Sequence, residues 1–515
     1  MQDNEAQGAI EKILYMHPGV REAAAVDDGR DGFVAFVVPD QSFLDGISGR
    51  GSAGTTLLGK WQKTFDLSQL SKEAASAPVG LTTRGWNSSY TRQQIPVEEI
   101  KEWVENTVED ILLLSPTSVY EIGCGTGMLL MRIAPRCERY VGVDFSPVVL
   151  SRVREQLQTT PAIAERVEIM ERRADDFDGL DENTFDTVVI NSVVQYFPSA
   201  AYLTGVLENA IRIVRPGGHV YVGDVRSLPL LHAFAASVEL FQASDETNGG
   251  ELRDRIRRRV EREQELVLSP AYFLSLRERF PKLSRVEIRP IRGRADNEMS
   301  RYRYEAILHI DRESGASTVD EFLDCAERKF SLDEIRSMLA QNPNKRIGIK
   351  RIQNARIARD LAALEAVLDT DAELTMGEIR HTLDEAAEKG IHPQDILDLE
   401  TQGWGFSVVL SWAACRPDGS YDACFVPADS MQEAAMPAIG WPEPDASEFA
   451  CTANAPGKGR LRKELVEHLA AHCSQNLPLE MVPHDYMLVD KLTLTPNGEI
   501  DSRALLGART ASCRS

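Results

Sequence analysis

The chain has 515 residues, 43% hydrophobic and 26% charged, with a formal net charge of −22, a length that exceeds one core and predicts roughly two to four domains. The acidic balance argues against a nucleic-acid partner, since phosphate tracking rests on Lys and Arg. No run approaches the ~18 apolar residues of a membrane span, and eight scattered cysteines without a CxxC pair or a His/Cys cluster predict no metal site and a reducing compartment.

The N-terminus, MQDNEAQGAIEKIL, is acidic and lacks the apolar core of a signal peptide, so a cytoplasmic protein is expected. AIEKILYMHPGV has helical spacing, and REAAAVDDGRDGFVAFVVPD reads as a hairpin turning at Gly29–Gly32. Residues 41–60 turn to Gly, Ser, Asp and Thr, as linkers do. Within them GTTLLGKW imitates a phosphate loop, but Trp61 stands where the hydroxyl residue belongs and no strand precedes it.

Residues 61–312 alternate β-rich runs with amphipathic ones. SVYEIG, RYVGVDF, RVEIMERR, FDTVVINSV and HVYVGDV recur roughly 20 to 30 residues apart, the spacing of βαβ units in a doubly wound, mostly parallel sheet. The first run leads into Glu121-Ile-Gly123-Cys-Gly125-Thr-Gly127, then a helix, then a second run ending at Asp144. Those glycines permit a tight turn and close approach of a ligand, and Asp144 can accept both hydrogens of a ribose diol. The fourth run ends at Asn191, followed by Gln195 and Tyr196; the fifth is followed by Asp224, Arg226 and His232. Loops after parallel strands form the ligand crevice of such sheets, so these side chains are candidates to orient a nucleophile. Tyr196 reads equally as a packed aromatic, and His232 as a surface histidine. LRDRIRRRVER, from Leu252, interleaves its arginines with acids and reads as a solvated helix face.

Signals weaken over residues 313–440, where helical IARDLAALEAVL precedes strand-like GWGFSVVLSW and YDACFVP. Residues 441–515 hold a helix, GRLRKELVEHLAAHC, the run LPLEMVPHDYMLVDKL and an Asn-Gly turn in TLTPNGEIDSRALL.

GxGxG with an acidic residue two positions before it, and an acidic residue ending the second strand, resembles the first motif of class I S-adenosylmethionine-dependent methyltransferases. GWNSSYTRQQIP, NSVVQYFPS, GDVRSLPLL and NEMSRYRYEAIL are similar to the methyltransferase domains embedded in non-ribosomal peptide synthetases, where they are inserted into the small C-terminal subdomain of an adenylation domain. IEKILYMHPGVREAAAV resembles the part of that subdomain before the insertion, and LPLEMVPHDYMLVDKLTLTPNGEIDSRALL the part after it.

The resemblance implies a class I, Rossmann-like α/β domain over 61–312, an α/β extension over 313–440, and one adenylation-type subdomain assembled from 1–40 and 441–515. It implies S-adenosylmethionine as cofactor, held by Glu121, Gly123, Gly125, Gly127, Asp144 and Asp175 (Asp176 close behind), with Trp86 and Tyr90 as a lid. Glu265 and Glu298 match acidic family positions. Asn191, Tyr196, His232 and Glu265 are the catalytic candidates, although the family's usual histidine position holds Ala235. The implied reaction is N-methylation of an amino acid or of an aminoacyl group on a carrier protein, with O- or C-methylation and a non-catalytic docking module as alternatives. In the closing motif Glu499 replaces the family's lysine, and no adenylation large subdomain precedes the first helix. The expectation is a frame that has lost adenylation chemistry, a fragment of a longer synthetase being the other reading.

Overall fold

The computed structural model describes residues 2–27, 32–40, 42–43, 86–311, 318–369, 375–383, 390–403, 405–428, 439–441, 452–456, 458–478, 481–489, 491–493, 495, 500–502 and 504–505. The hairpin turn at Gly29, the GTTLLGKW stretch, the Asn-Gly turn and Glu499 lie outside the described residues. No helix among the described residues is long and apolar enough to cross a membrane.

Seven strands make the central sheet: β3 (Ser118–Ile122), β4 (Arg139–Asp144), β5 (Val167–Glu171), β6 (Phe185–Asn191), β7 (Val214–Arg226), β8 (Leu283–Pro290) and β9 (Arg303–Ile310). Their order is β5-β4-β3-β6-β7-β9-β8. The first five run parallel, and β9 lies antiparallel to both its neighbours. A mostly parallel, doubly wound α/β sheet is the class I fold expected from the sequence; the strand order and the one reversed strand go beyond that expectation. β6 is buried along its whole length, which is why FDTVVIN is apolar with so little alternation: helices cover both faces of a parallel sheet.

Local chemistry starts the helices where the sheet needs them. Val97–Leu112 places Ile100, Trp103, Val104, Val108 and Ile111 on one buried stripe and opens with Glu98 and Glu99, which favour its N-terminal dipole. Pro147–Gln158 has Pro at its first position, and the Ser146 side chain accepts a hydrogen bond from Val149 N. The strand order reverses between β3 and β6, so the crevice above their carboxyl ends is the expected place for a ligand.

The described residues form two smaller sheets as well. β10 (Glu321–Asp324), β11 (Ile347–Ile352), β12 (Phe406–Ser411) and β13 (Tyr421–Pro427) form a sheet of order β10-β11-β13-β12. It is fastened beside β8, with Trp412 N donating to Ile288 O at 2.9 Å. From the same region the buried Arg356 donates to Ile291 O at 2.6 Å, Ser300 O at 3.1 Å and Gly293 O at 2.5 Å. The third sheet pairs β1 (Val20–Asp27) and β2 (Phe33–Pro39) antiparallel and adds β14 (Asp485–Leu488) parallel to β2, joining opposite ends of the chain. The helices Gln2–Tyr15 and Lys458–Asn476 pack on it through Ile10, Leu14, Leu465, Leu469 and Cys473.

Candidate active site

A cavity of about 1200 Å³ opens above the carboxyl ends of the central strands. Its wall has two parts, built from different elements.

The first part comes from β3, β4 and the loops that follow them. Gly123, Gly125 and Gly127 all have positive φ (74°, 52° and 80°), the left-handed region that a side chain disfavours. A Cβ on Gly123 would lie 2.4 Å from Val193 Cγ2, whereas one on Gly125 would meet nothing within 4 Å. The Gly125 position therefore opens onto free space, as a backbone approached by a ligand should. Gly123 N and Cys124 N donate to Val143 O at 2.7 and 3.0 Å, tying the loop to β4. Asp144 accepts from Gly125 N at 3.0 Å on one oxygen and from Ser146 N at 2.9 Å on the other. Each carboxylate oxygen keeps acceptor capacity for a further donor.

Glu121 is buried beneath this loop and accepts from Tyr140 OH at 2.9 Å. Burial, reinforced by Asp144, pushes its carboxyl up to about 7. Trp86 packs at a tilt against Trp103 with ring centroids 4.8 Å apart, and both line this side of the cavity.

The second part comes from the ends of β6 and β7 and from residues 263–267 and 298–303. Ser192 and Asp224, which follow one another across the sheet, both have positive φ (56° and 61°). Such conformations cost energy in non-glycine residues and concentrate at functional sites. Ser192 Oγ donates to Asp224 Oδ2 at 2.5 Å, and Arg303 Nη1 donates to the same oxygen at 2.6 Å. Burial raises the Asp224 carboxyl, with Arg303 opposing the rise. Gly223 is required beside them, because a Cβ there would lie 2.1 Å from Asn191 Oδ1.

Arg226 is clamped by two carboxylates, Glu263 at 2.8 Å and Glu265 at 2.7 Å, and its guanidinium lies 5.4 Å from the Phe234 ring centroid. Burial pushes Glu263 upward, but the Arg226 charge and hydrogen bond outweigh it and hold the carboxyl below its usual range. Glu298 accepts from Ser89 N at 2.8 Å and Ser89 Oγ at 3.0 Å, clasping the strap that carries Trp86 across the opening. Three side-chain oxygens at this wall, Asn191 Oδ1, Gln195 Oε1 and Asp224 Oδ1, are buried and accept no hydrogen bond, and of these residues Asn191 and Gln195 line the cavity.

The predicted residues fall into three groups. Glu121, Gly123, Gly125, Asp144, Asn191, Tyr196 and Glu265 line the cavity together. Gly127 lies just behind the loop, packed toward Val153. Asp175, Tyr90 and His232 do not reach the cavity. Asp175 turns to Arg173, whose Nε is 3.1 Å away, and Asp176 takes its place on the wall. Tyr90 is drawn under the strap by Phe234 and Phe241, and its OH bonds Ser237 Oγ at 2.9 Å. His232 sits on the solvent side of the helix Leu231–Gln242. Tyr196 faces the cavity with 37% of its surface exposed. Burial by the surrounding walls and the nearby Glu265 charge push its phenol to about 12. At neutral pH it is therefore protonated and can donate a hydrogen bond. Ser192, Arg303 and Glu263 are site residues the sequence does not point to; their roles come from pairings between distant stretches, for which one sequence carries no signal.

Residues 120–220 match the family described as Methyltransferase domain, Methyltransf_12. Over 96% of its length the chain is 37% identical to chondramide synthase cmdD of Chondromyces crocatus, covering 13% of that protein. It is 29% identical, again over 96% of its length, to the beauvericin nonribosomal cyclodepsipeptide synthetase of Beauveria bassiana, covering 16% of it. The chain thus spans less than a fifth of either relative. Among solved structures, N-methyltransferase NodS from Bradyrhizobium japonicum WM9, in complex with S-adenosyl-L-homocysteine, is 18% identical. That match covers 41% of this chain and 88% of NodS, with a TM-score of 0.28.

Proposed function

This chain carries a class I S-adenosylmethionine-dependent methyltransferase domain of the kind found in nonribosomal peptide synthetases, and from that premise we propose that it methylates the amino nitrogen of an amino acid or aminoacyl group, delivered on a carrier protein. The observation that carries the nitrogen assignment is the pair of buried acceptors on cavity-lining residues, Asn191 Oδ1 at the end of β6 and Gln195 Oε1 in the turn that follows, neither with a donor partner. A buried acceptor left unpaired costs about 1–3 kcal/mol. An amine brings two N–H donors to such a pair; a hydroxyl brings one O–H, and a carbon nucleophile none.

The first part of the wall fits the cofactor. Asp144 has acceptor capacity for the ribose hydroxyls, Asp176 for the adenine amino group, and Glu121 for the ammonium of the methionyl end. Gly125 offers the bare backbone that a bulky ligand needs. When bound, the cofactor supplies a methyl group on a sulfonium, open to in-line displacement by a lone pair.

The protein's own work is alignment and exclusion of water. In this reading Asn191 and Gln195, which line the cavity, turn their buried oxygens toward it, accept the amine hydrogens and thereby aim the lone pair. A neutral α-amine is already a sizeable fraction of the total near its reference pKa of about 7.7 to 8.0. No strong base is then needed, consistent with a Tyr196 that stays protonated. The proton released from the methylated nitrogen passes to water. Arg226, held by Glu263 and Glu265, forms a rigid polar floor beside the acceptor.

Around this domain, we read residues 1–40 and 441–515 as one adenylation-type subdomain framing the methyltransferase, with 313–440 as an extension. The delivery role rests on the synthetase relatives. It is tested by offering free amino acids, loaded carrier proteins and matching α-hydroxy acids in parallel with isotopically labelled methyl donor. Carrier-bound amines should be methylated fastest and hydroxy acids not at all. Equal rates for free amino acid would remove the carrier, and faster methylation of hydroxy acids would remove the nitrogen assignment.

A further inference from the structure

We infer that Asn454 is a positioning residue for the acceptor side of the cavity, acting through Glu265 and Arg226 on a wall more than 180 residues away in sequence. The inference rests on the reading that this wall receives the methyl acceptor. It starts from the segment 265–269, which behaves as the middle strand of a small irregular ribbon.

On one edge that segment is bonded to the site itself. Leu266 N donates to Gln195 O at 2.8 Å, Leu268 N to Arg226 O at 3.0 Å, and Leu228 N to Leu268 O at 3.0 Å. On the other edge lie residues 452–454. Ser269 N donates to Thr452 O at 2.9 Å and Asn454 N to Val267 O at 3.1 Å, with Ala453 and Leu268 forming an antiparallel bridge. The Asn454 side chain then extends the pairing where the backbone register ends. Its Oδ1 accepts from Val267 N at 2.8 Å and its Nδ2 donates to Glu265 O at 2.9 Å.

One primary amide thus satisfies a backbone donor and a backbone acceptor flanking Leu266, the residue that bonds to Gln195. Asparagine suits this, because its carbonyl and amino group sit side by side; aspartate offers only acceptors, and alanine nothing. The carboxylate of Glu265, whose own carbonyl Asn454 holds, is the one that anchors Arg226 Nη1. None of these bonds reaches Asp144 or the glycine loop. A fault at Asn454 should therefore disturb the acceptor side and spare the cofactor side.

The test compares the full chain with Asn454→Ala and Asn454→Asp. Three quantities are read: KM and kcat toward a panel of aminoacyl N-acetylcysteamine thioesters, the Kd of S-adenosylhomocysteine, and amide hydrogen exchange across 263–269. For Asn454→Ala the expected result is a KM raised about tenfold, the scale of two lost hydrogen bonds partly replaced by water. Exchange across 263–269 should be faster and the Kd unchanged. Asn454→Asp keeps the bond from Val267 N and should fall between. In a Glu265→Gln background the further KM effect of Asn454→Ala should shrink to less than half. An unchanged KM, a KM effect undiminished in that background, or a Kd that moves in step with KM would each overturn the inference. If the wild-type chain methylates no amine, it is the parent reading that has failed. The variants are then judged by exchange and Kd alone, and unaltered exchange across 263–269 overturns the positioning role.

Discussion

The two walls of the cavity are made in opposite ways. The centre of the cofactor side is one short run of chain, β3, the glycine loop, a helix and β4, closed by bonds within itself: Gly125 N to Asp144 and Gly123 N to Val143. The acceptor side gathers Asn191, Asp224, Glu265 and Arg303 from separate stretches and is braced from further away still, by Asn454 on residues 265–267 and Arg356 on residues 291–300. A cofactor half can be specified by a short motif because its ligand is one fixed molecule. An acceptor half has to be adjustable, and long-range bracing lets substitutions far from the chemistry retune it.

The comparison is broken most sharply by removing the cation at the centre of the acceptor wall. Arg226→Met leaves Glu263 and Glu265 facing each other in a half-buried site, and losing one partner of such a cluster costs about 3–5 kcal/mol. Denaturant unfolding should show that loss, and acceptor KM should rise, while S-adenosylhomocysteine binding survives in the folded fraction. Asp144→Ala should do the reverse. Two hydrogen bonds to a charged acceptor are worth about 1.5–3 kcal/mol each, so affinity for S-adenosylhomocysteine in calorimetry should drop about a hundredfold or more, with stability less affected.

A smaller effect sharpens the cofactor side through pH. The Glu121 carboxyl is raised to about 7 by burial, so at pH 6 it is mostly protonated and cannot pair with an ammonium. Affinity for S-adenosylhomocysteine should rise about tenfold from pH 6 to 8 and level off above, and the rise should vanish in Glu121→Gln. For stability the sign is opposite. The unfolded chain loses this proton near the ordinary carboxylate value, so folding weakens as pH climbs from there to about 7 and is flat beyond. The smallest effect belongs to His232→Ala: an exposed side chain off the cavity should change kcat, KM and stability by less than about 0.5 kcal/mol, and a loss of activity there would redraw the acceptor wall.

What the sequence disclosed follows the same division. SVYEIGCGTG and RYVGVDF sufficed for the class I fold and for Asp144 beside Gly125, since motif and structure are both local there. The sequence favours Asp175 with Asp176 close behind; the ion pair with Arg173 turns Asp175 off the wall and Asp176 lines the cavity. The family resemblance of GWNSSY implies Tyr90 as a lid, but its ring turns inward to Phe234 and Phe241, residues far along the chain. The pairing of Ser192 with Asp224, and of Asp224 with Arg303, depends on strand register. Register between β6, β7 and β9 cannot be read from hydrophobic runs that lack alternation. Residues 313–440, the least characteristic stretch, contribute Arg356, a buried cation whose acceptors are backbone carbonyls and His392.

The central claim, that the unpaired oxygens of Asn191 and Gln195 select an amine, is tested most directly by locating the transferred methyl in the product. The chain is incubated with isotopically labelled methyl donor and an aminoacyl carrier protein, the acyl group is released, and tandem mass spectrometry and NMR assign the labelled carbon. The account predicts label on the α-nitrogen, with turnover falling at least tenfold in Asn191→Leu and Gln195→Leu at saturating cofactor. Label on oxygen or carbon, or full turnover in both variants, would contradict it.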